Sequence, residues 1–359
     1  MPERGLMDKQ SEQAVATSTV RAIIHDSYGK PEKVLRVGTV ADPGAPEKDS
    51  VRVRLTHRPI HPGDLYMVED ATLSGSAPAI EPNAPRVPGF EGSGVIESVG
   101  LEAASKRRFK AGQRVTVFPV FGAWSEVVIA PESSVTPIPD AVPDEVASQI
   151  LINVITARMV LRTAHKALPP SIQGPVYFVQ SAAASAVGRL ITALGLEMGM
   201  KPLRLVRSQA SAEALQANFP GAPIVVTTSS NWQEEVKKAA EGHPVYLALD
   251  GVGGSLLAEL ASVLTEGGSV VTYGALGEGI PDLMAATYRD ISIRGASVLR
   301  WIEAASPEVR AEDIATAIRL AETKPKVFQV AGTYDLAQIA EALEHVGRQG
   351  KTGTVLLTS

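Results

Sequence analysis

The stretch PVYFVQSAAASAVG, Pro175–Gly188, constrains this chain more than any other part of it. It reads as a buried apolar strand, a loop of small residues and the start of a helix. Small side chains let a backbone approach a pyrophosphate, and the N–H groups and dipole of a helix N-terminus bind one. The helix that follows places Val187, Leu190, Ile191, Leu194 and Met198 on one face, toward a sheet. Gly188 falls where helix and strand have to pack closely. The usual G-x-G-x-x-G is absent, because Ala and Ser hold the earlier positions, so the motif needs support from its surroundings.

That support comes from the alternation around it. Asp144 to His165 is apolar at helical spacing, and LRLVR, IVVTT, VYLALD, SVVTYGA and ISIRGA read as strands. Helical segments at 186–198, 233–240 and 256–264 lie between them. Apolar strands alternating with amphipathic helices are the sequence form of a doubly wound parallel sheet. The strands ending in ALDGVGG (Ala248–Gly254) and VTYGALGEG (Val271–Gly279) finish in glycines, and ligands of such sheets collect at strand carboxyl ends. The strand after the helix ends in Arg207, where an acidic residue would suit a ribose 2′-OH and an arginine suits a 2′-phosphate. Two helices, 311–323 and 335–347, and a strand TVLLT close the chain.

From Val20 to about Pro139 the pattern differs. Short β-like runs (VRAIIH, SVRVRLTH, SGVIESVG, QRVTVFP, SEVVIA) are separated by Gly/Pro turns, which predicts a compact antiparallel or barrel-like domain. A proline-rich loop, 71–88, interrupts it, and loops of that length are often functional. A length of 359 residues suits two domains. The net charge of −5 argues against a nucleic-acid binder, and no apolar run approaches the roughly 20 residues that span a bilayer. Residues 1–18 are polar and contain acids, without the apolar core of a secretory signal, and are expected to be a disordered tail on a cytoplasmic protein. There is no cysteine, so thiolate chemistry and every Cys-containing zinc site are excluded. His57, His61, His165, His243 and His345 are scattered without metal-ligand spacing.

The motifs RPIHPGDLYM, VPGFEGSGVIESVG, GAWSEVVIAPE, LINVITARMVL, QSAAASAVG, LRLVRSQ, LALDGVGG, GGSVVTYGALG and RDISIRGASVLRW, in this order, resemble the medium-chain dehydrogenase/reductase superfamily. Within it they are most similar to the enoyl thioester reductases, which saturate 2-enoyl-CoA or enoyl-acyl-carrier-protein, and next to the quinone oxidoreductases. The resemblance implies an α/β fold, with a Rossmann doubly wound parallel sheet (151–298) inserted in a β-rich, GroES-like catalytic domain (19–150 plus 299–359). It also implies a homodimer, and NADPH as the hydride donor for an enoyl thioester, enone or enal. A quinone acceptor, or a catalytically silent NADPH-binding sensor, are the alternatives.

Carried over by position, the cofactor contacts are Asn153, Ala184, Ser185, Ala186, Val187, Arg207, Ser208, Gln209, Tyr273, Gly274, Ala275, Leu276, Ala296, Ser297, Val298 and Leu299, with Trp301 nearby. Zinc-dependent relatives carry a His-Glu pair in the GFEG region, but here Phe90 replaces that His, and His61 and Glu91 alone cannot supply three ligands. Asp64 is expected to be a structural carboxylate, and Glu91 to orient the backbone of the GFEG turn. Reduction of a conjugated C=C needs a donor at the carbonyl oxygen, where enolate charge develops. In enoyl reductases a tyrosine serves, eight residues after the Asp that matches Asp64. Here that position is Thr72, and Tyr66 is the nearest tyrosine. Near the C-terminus Thr354 stands where the family has a phosphate-holding lysine, and Lys351 is the nearest replacement.

Overall fold

The computed structural model describes residues 18–70, 84–106, 108–170, 172–348 and 350–359. The expected N-terminal tail, apart from Ser18, and the part of the proline-rich loop at 71–83, Thr72 included, lie outside these residues.

Strands from both sides of the alternating region build the antiparallel part. β1 (Thr19–Ile24) and β2 (Arg36–Ala41) form a two-stranded ribbon. A larger sheet is centred on β3 (Ser50–Pro59). On one side of it run β4 (Gly92–Val99), β5 (Arg114–Val117) and β7 (Val135–Pro137), while β6 (Val127–Pro131) also pairs β3. On the other run β15 (Thr354–Thr358), antiparallel to β3 with Leu356 opposite Pro59, and β14 (Val330–Asp335), which pairs β15 in parallel. The two ends of the chain therefore share one hydrogen-bonded sheet. Short helices α1 (Pro31–Val34), α2 (Pro62–Glu69), α3 (Leu101–Ser105) and α4 (Asp144–Ala147) sit in the connections.

Between those ends lies a six-stranded parallel sheet. Its strands are β8 (Tyr177–Gln180), β9 (Lys201–Val206), β10 (Ile224–Val226), β11 (Val245–Asp250), β12 (Ser269–Thr272) and β13 (Ser292–Gly295), in the order β10-β9-β8-β11-β12-β13. That is the doubly wound order, with its switch point between β8 and β11. Around it run α5 (Ile150–Ala167), α6 (Ala186–Glu197), α7 (Gln209–Asn218), α8 (Trp232–Ala239), α9 (Leu256–Val263) and α10 (Met284–Tyr288). Then follow α11 (Val298–Ala304), α12 (Pro307–Thr323) and α13 (Ile339–Gly347).

Neighbouring strand residues explain why the helices take both faces. Phe178, Leu247 and Val271 join Leu151 and Ile155 of α5, Leu190 and Ile191 of α6 and Leu320 of α12 in one core. Val179, Ala248 and Val270, one residue along, join Val236 of α8 and Leu260 of α9 in another. Each fully buried large apolar side chain contributes about 1.5–3 kcal/mol, so neither face could be left uncovered. Among the described residues no helix is long and apolar enough to cross a membrane.

Three details differ from the sequence reading. Met198 lies beyond the end of α6 and is half exposed, so it is not part of the sheet-facing stripe. α7 has only a weak apolar face, and Ser208 starts it by accepting the Ser211 N–H at 3.2 Å. β12 stops at Thr272, which leaves Tyr273 and the glycines after it in a loop.

Candidate active site

β8 delivers the chain into the 181–185 loop, and Ser185 caps α6 by accepting the Gly188 N–H at 3.0 Å. A Cβ at Gly188 would lie 2.3 Å from the Ala182 carbonyl oxygen, so no side chain fits there. The close approach is thus to the loop itself rather than to the strand. Ala182 has φ 48°, a left-handed conformation that disfavours any residue with a Cβ. The loop adopts the turn that glycine usually serves, with alanine in its place.

Asp250, fully buried at the end of β11, ties this loop to its neighbours. Its Oδ1 accepts the Ser181 hydroxyl at 2.7 Å and the Val252 N–H at 3.0 Å, and its Oδ2 accepts the Gly253 N–H at 2.9 Å. The Ser181 hydroxyl in turn accepts the Gly251 N–H at 2.9 Å. Tyr273 N–H donates to the Asp250 carbonyl, and a Cβ at Gly274 would meet the Gly251 carbonyl oxygen at 2.2 Å. Backbone therefore packs on backbone where the three strand ends meet. The Tyr273 hydroxyl is buried with no hydrogen-bond partner among the described residues, and burial together with the Asp250 charge keeps it protonated. An orphaned hydroxyl in a strand-end crevice marks a place for a ligand.

The predicted cofactor residues fall into two groups. Ala184, Ser185, Ala186 and Val187 on the loop and α6, and Tyr273, Gly274, Ala275 and Leu276 after β12, belong to this assembly. Ala296 joins it through an N–H bond to the Thr272 carbonyl, and Ser297 caps α11 ahead of Val298 and Leu299. Arg207 directly follows β9 beside the loop, exposed and without an ion-pair partner among the described residues. Ser208 and Gln209 spend their side chains within the first turns of α7. Asn153 is buried on α5, where it donates to the Gln149 carbonyl, and Gln149 accepts the Thr354 hydroxyl. Trp301 is anchored by its N–H to Asp313 at 2.8 Å and lies against Phe118.

On the antiparallel side, His61 and Glu91 are both buried and share a 2.9 Å hydrogen bond, Nε2 to Oε2. Glu91 Oε1 accepts the N–H groups of Leu151 (2.6 Å) and Ile152 (3.2 Å) at the start of α5. Glu91 therefore anchors a helix N-terminus, which favours its charge, rather than the turn in which it sits. Burial opposes a charged His61, but the Glu91 bond and charge outweigh it and raise its pKa, while burial raises that of Glu91 against the same bond. Asp64 Oδ2 accepts the His61 backbone N–H at 2.9 Å, the structural role expected of it, and burial raises its pKa to about 6. Phe90, where zinc-dependent relatives carry a ligand, packs edge-to-face on Phe121. Among the described residues no three His, Asp or Glu side chains are grouped to hold a metal. The Tyr66 hydroxyl is buried without a partner among the described residues, and burial, then Glu69, raises its pKa.

One residue of this region escaped the sequence reading. Arg189 lies on α6 behind the loop, 2% exposed, with Nη1 donating to the Ala184 carbonyl and Nε to that of Val327. The available signal was a cation among the apolar positions of a helix face.

Comparison with known proteins agrees with this architecture. Residues 47–140 match the alcohol dehydrogenase GroES-like domain and residues 186–322 the zinc-binding dehydrogenase family. A Caenorhabditis elegans mitochondrial enoyl-[acyl-carrier-protein] reductase is 31% identical over 302 residues, 82% of each chain. The human mitochondrial enoyl-[acyl-carrier-protein] reductase is 26% identical over 303 residues, 83% of this chain and 77% of the relative. Among solved structures, a Bacillus thuringiensis protein assigned as an NADPH:quinone reductase superposes with a TM-score of 0.81 at 28% identity, covering 96% of this chain and 100% of that one. The Escherichia coli quinone oxidoreductase complexed with NADPH gives 0.79 at 22% identity, covering 94% and 100%, a likeness of fold. The chain belongs to the medium-chain dehydrogenase/reductase superfamily, in its zinc-free branch.

Proposed function

We propose that this protein reduces an activated C=C bond, in a 2-enoyl thioester or a related enone or enal, using NADPH and no metal. The observation that carries this reading is the 31% identity, across 82% of both chains, to an enoyl-[acyl-carrier-protein] reductase. The crevice fits the dinucleotide: Gly188 and Gly274 leave no room for a Cβ, and the Tyr273 hydroxyl has no protein partner among the described residues. Bound there, NADPH supplies the hydride.

The remaining work belongs to the chain. Ala184 to Val187 hold the diphosphate through the loop and the N–H groups of α6. Arg207, with Ser208 and Gln209, meets the 2′-phosphate, for which its exposed guanidinium, without an ion-pair partner among the described residues, is suited. Tyr273 to Leu276 and Ala296 to Leu299 wall the nicotinamide end, and Asn153 faces it from α5. Tyr66, its hydroxyl buried and held protonated, donates to the carbonyl oxygen as negative charge develops there, and Thr72 is the alternative donor. Quinone reduction is the second reading, favoured by Tyr66 and by the threonine at position 72. Steady-state turnover with crotonyl-CoA, 2-enals and quinones separates the two. We expect the highest kcat/KM on an enoyl thioester, and turnover of quinones alone would transfer the assignment. NADPH binding with no oxidation across the panel would indicate a silent binding protein. Tyr66→Phe should lower kcat about 100-fold; unchanged turnover removes it as the donor.

We further infer a homodimer. β13 is an exposed edge strand, with Ile293 40% exposed and Ile280, Met284 and Tyr288 also exposed on the preceding segment. An edge of this kind invites pairing with a second copy. Sedimentation should read the mass of two chains, and a single-chain mass at micromolar concentration would refute this.

A further inference from the structure

Arg189 is a buried guanidinium without a counter-ion among the described residues. Its Nε and Nη1 bond only carbonyl oxygens, those of Val327 at 3.0 Å and Ala184 at 2.6 Å, and Nη2 has no partner among the described residues. A cavity of about 260 Å³ beside it is lined by Ala184, Leu215, Phe219, Gln329 and Thr352, among others, and by no carboxylate. Lys351, adjacent to Thr352, is the other cation here, and its Nζ also bonds only a carbonyl, that of Gly353 at 2.9 Å. Burial lowers the pKa of Arg189 to about 10, and burial followed by the Arg189 charge lowers that of Lys351; no acid pulls either back. A desolvated cation is costly unless an opposite charge is near.

The missing charge has an evident place. Arg189 holds the carbonyl of Ala184, a residue of the loop that opens α6. We propose that Arg189, seconded by Lys351, is a positioning residue whose positive charge backs the 181–185 loop from behind and attracts the diphosphate of the dinucleotide bound in front of it. The inference rests on the dinucleotide reading of the crevice and adds the source of its charge complementarity. Arg189 acts through the loop and through space, since its guanidinium is sealed from solvent. The effect differs from that expected of Arg207: the diphosphate is common to NADPH and NADH, so both should feel it equally.

The test is equilibrium binding of NADPH and NADH, by fluorescence at two salt concentrations, together with the melting temperature of the unliganded protein. In Lys351→Gln we expect both dinucleotides to bind several-fold more weakly, with an unliganded melting temperature unchanged or raised, because a repulsion has been removed. In Arg189→Gln both should weaken about tenfold or more, and Arg189→Lys, which keeps the charge, should recover most of the affinity. Inorganic pyrophosphate alone should bind the wild-type protein in competition with NADPH and more weakly to Lys351→Gln. Wild-type affinity in both neutral variants, a loss confined to NADPH, or pyrophosphate binding together with NADPH would each overturn the proposal. None of these readouts requires a C=C substrate. A protein that passes them and reduces no enoyl compound would contradict the function proposed above while leaving this inference intact.

Discussion

The parallel-sheet and antiparallel parts of the molecule are strained in different ways. On the parallel-sheet side the cost lies in the backbone: Ala182 is left-handed, and Gly188 and Gly274 stand against carbonyl oxygens. On the antiparallel side it lies in buried charge: His61, Asp64 and Glu91 are all sealed from water within a few residues of one another in space. A dinucleotide is bound largely by backbone N–H groups, so its side demands shape. An acceptor oxygen needs one well-placed donor, and its side demands control over protons. The difference explains why substitutions on the two sides should fail in different ways.

The largest effect belongs to the backbone side. Gly188→Ala should destabilise the protein by about 2–3 kcal/mol through overpacking against Ala182 and weaken dinucleotide binding; a variant as stable as wild type, by chemical denaturation, would show that the loop has slack. Next comes charge specificity at its edge. Arg207→Ala should weaken NADPH by about tenfold or more and leave NADH unchanged, measured by direct titration. Equal losses would move Arg207 away from the 2′-phosphate.

The buried charges give a pH signature. A carboxyl whose folded pKa is raised, as that of Asp64 is to about 6, is favoured by folding in its neutral form. Its penalty is absent below the unfolded value, grows as pH rises toward 6, and is constant above. Asp64→Asn keeps an oxygen for the His61 N–H and cannot ionise. It should raise stability by about 1–3 kcal/mol at pH 8 and by little at pH 4. A uniform loss at both would show that the charge is needed. The smallest effect is expected at Ala182→Gly, which should relieve the left-handed strain and gain about 0.5–1 kcal/mol in thermal unfolding; a loss would mean that the alanine methyl packs usefully.

These contrasts also bear on what the sequence could reveal. The parallel sheet was legible because strands and helices repeat in it with clear periods, and its carboxyl-end glycines mark places of close backbone approach. The loop itself was only half legible, since Ala182 does a glycine's task with no compositional signal. α7 was hidden because its apolar face is weak. On the antiparallel side, Glu91 was expected to orient its own turn and instead anchors α5, 60 residues away in sequence, a partnership no local pattern encodes. The same holds for Arg189 and Val327, and for Thr354 and Gln149. Tyr66 and Thr72 could not be ordered as donors from spacing alone, because the position of a donor depends on the path of the 71–83 segment.

The central claim is that hydride from NADPH reaches the β-carbon of a conjugated C=C bond. Its most direct measurement is turnover of crotonyl-CoA with NADPH deuterated at C4 on the transferring face, followed by analysis of the saturated product. Deuterium at the β-carbon, with solvent hydrogen at the α-carbon, is the result expected. NADPH oxidation that leaves the C=C bond intact, or product without label at the β-carbon, would contradict the account.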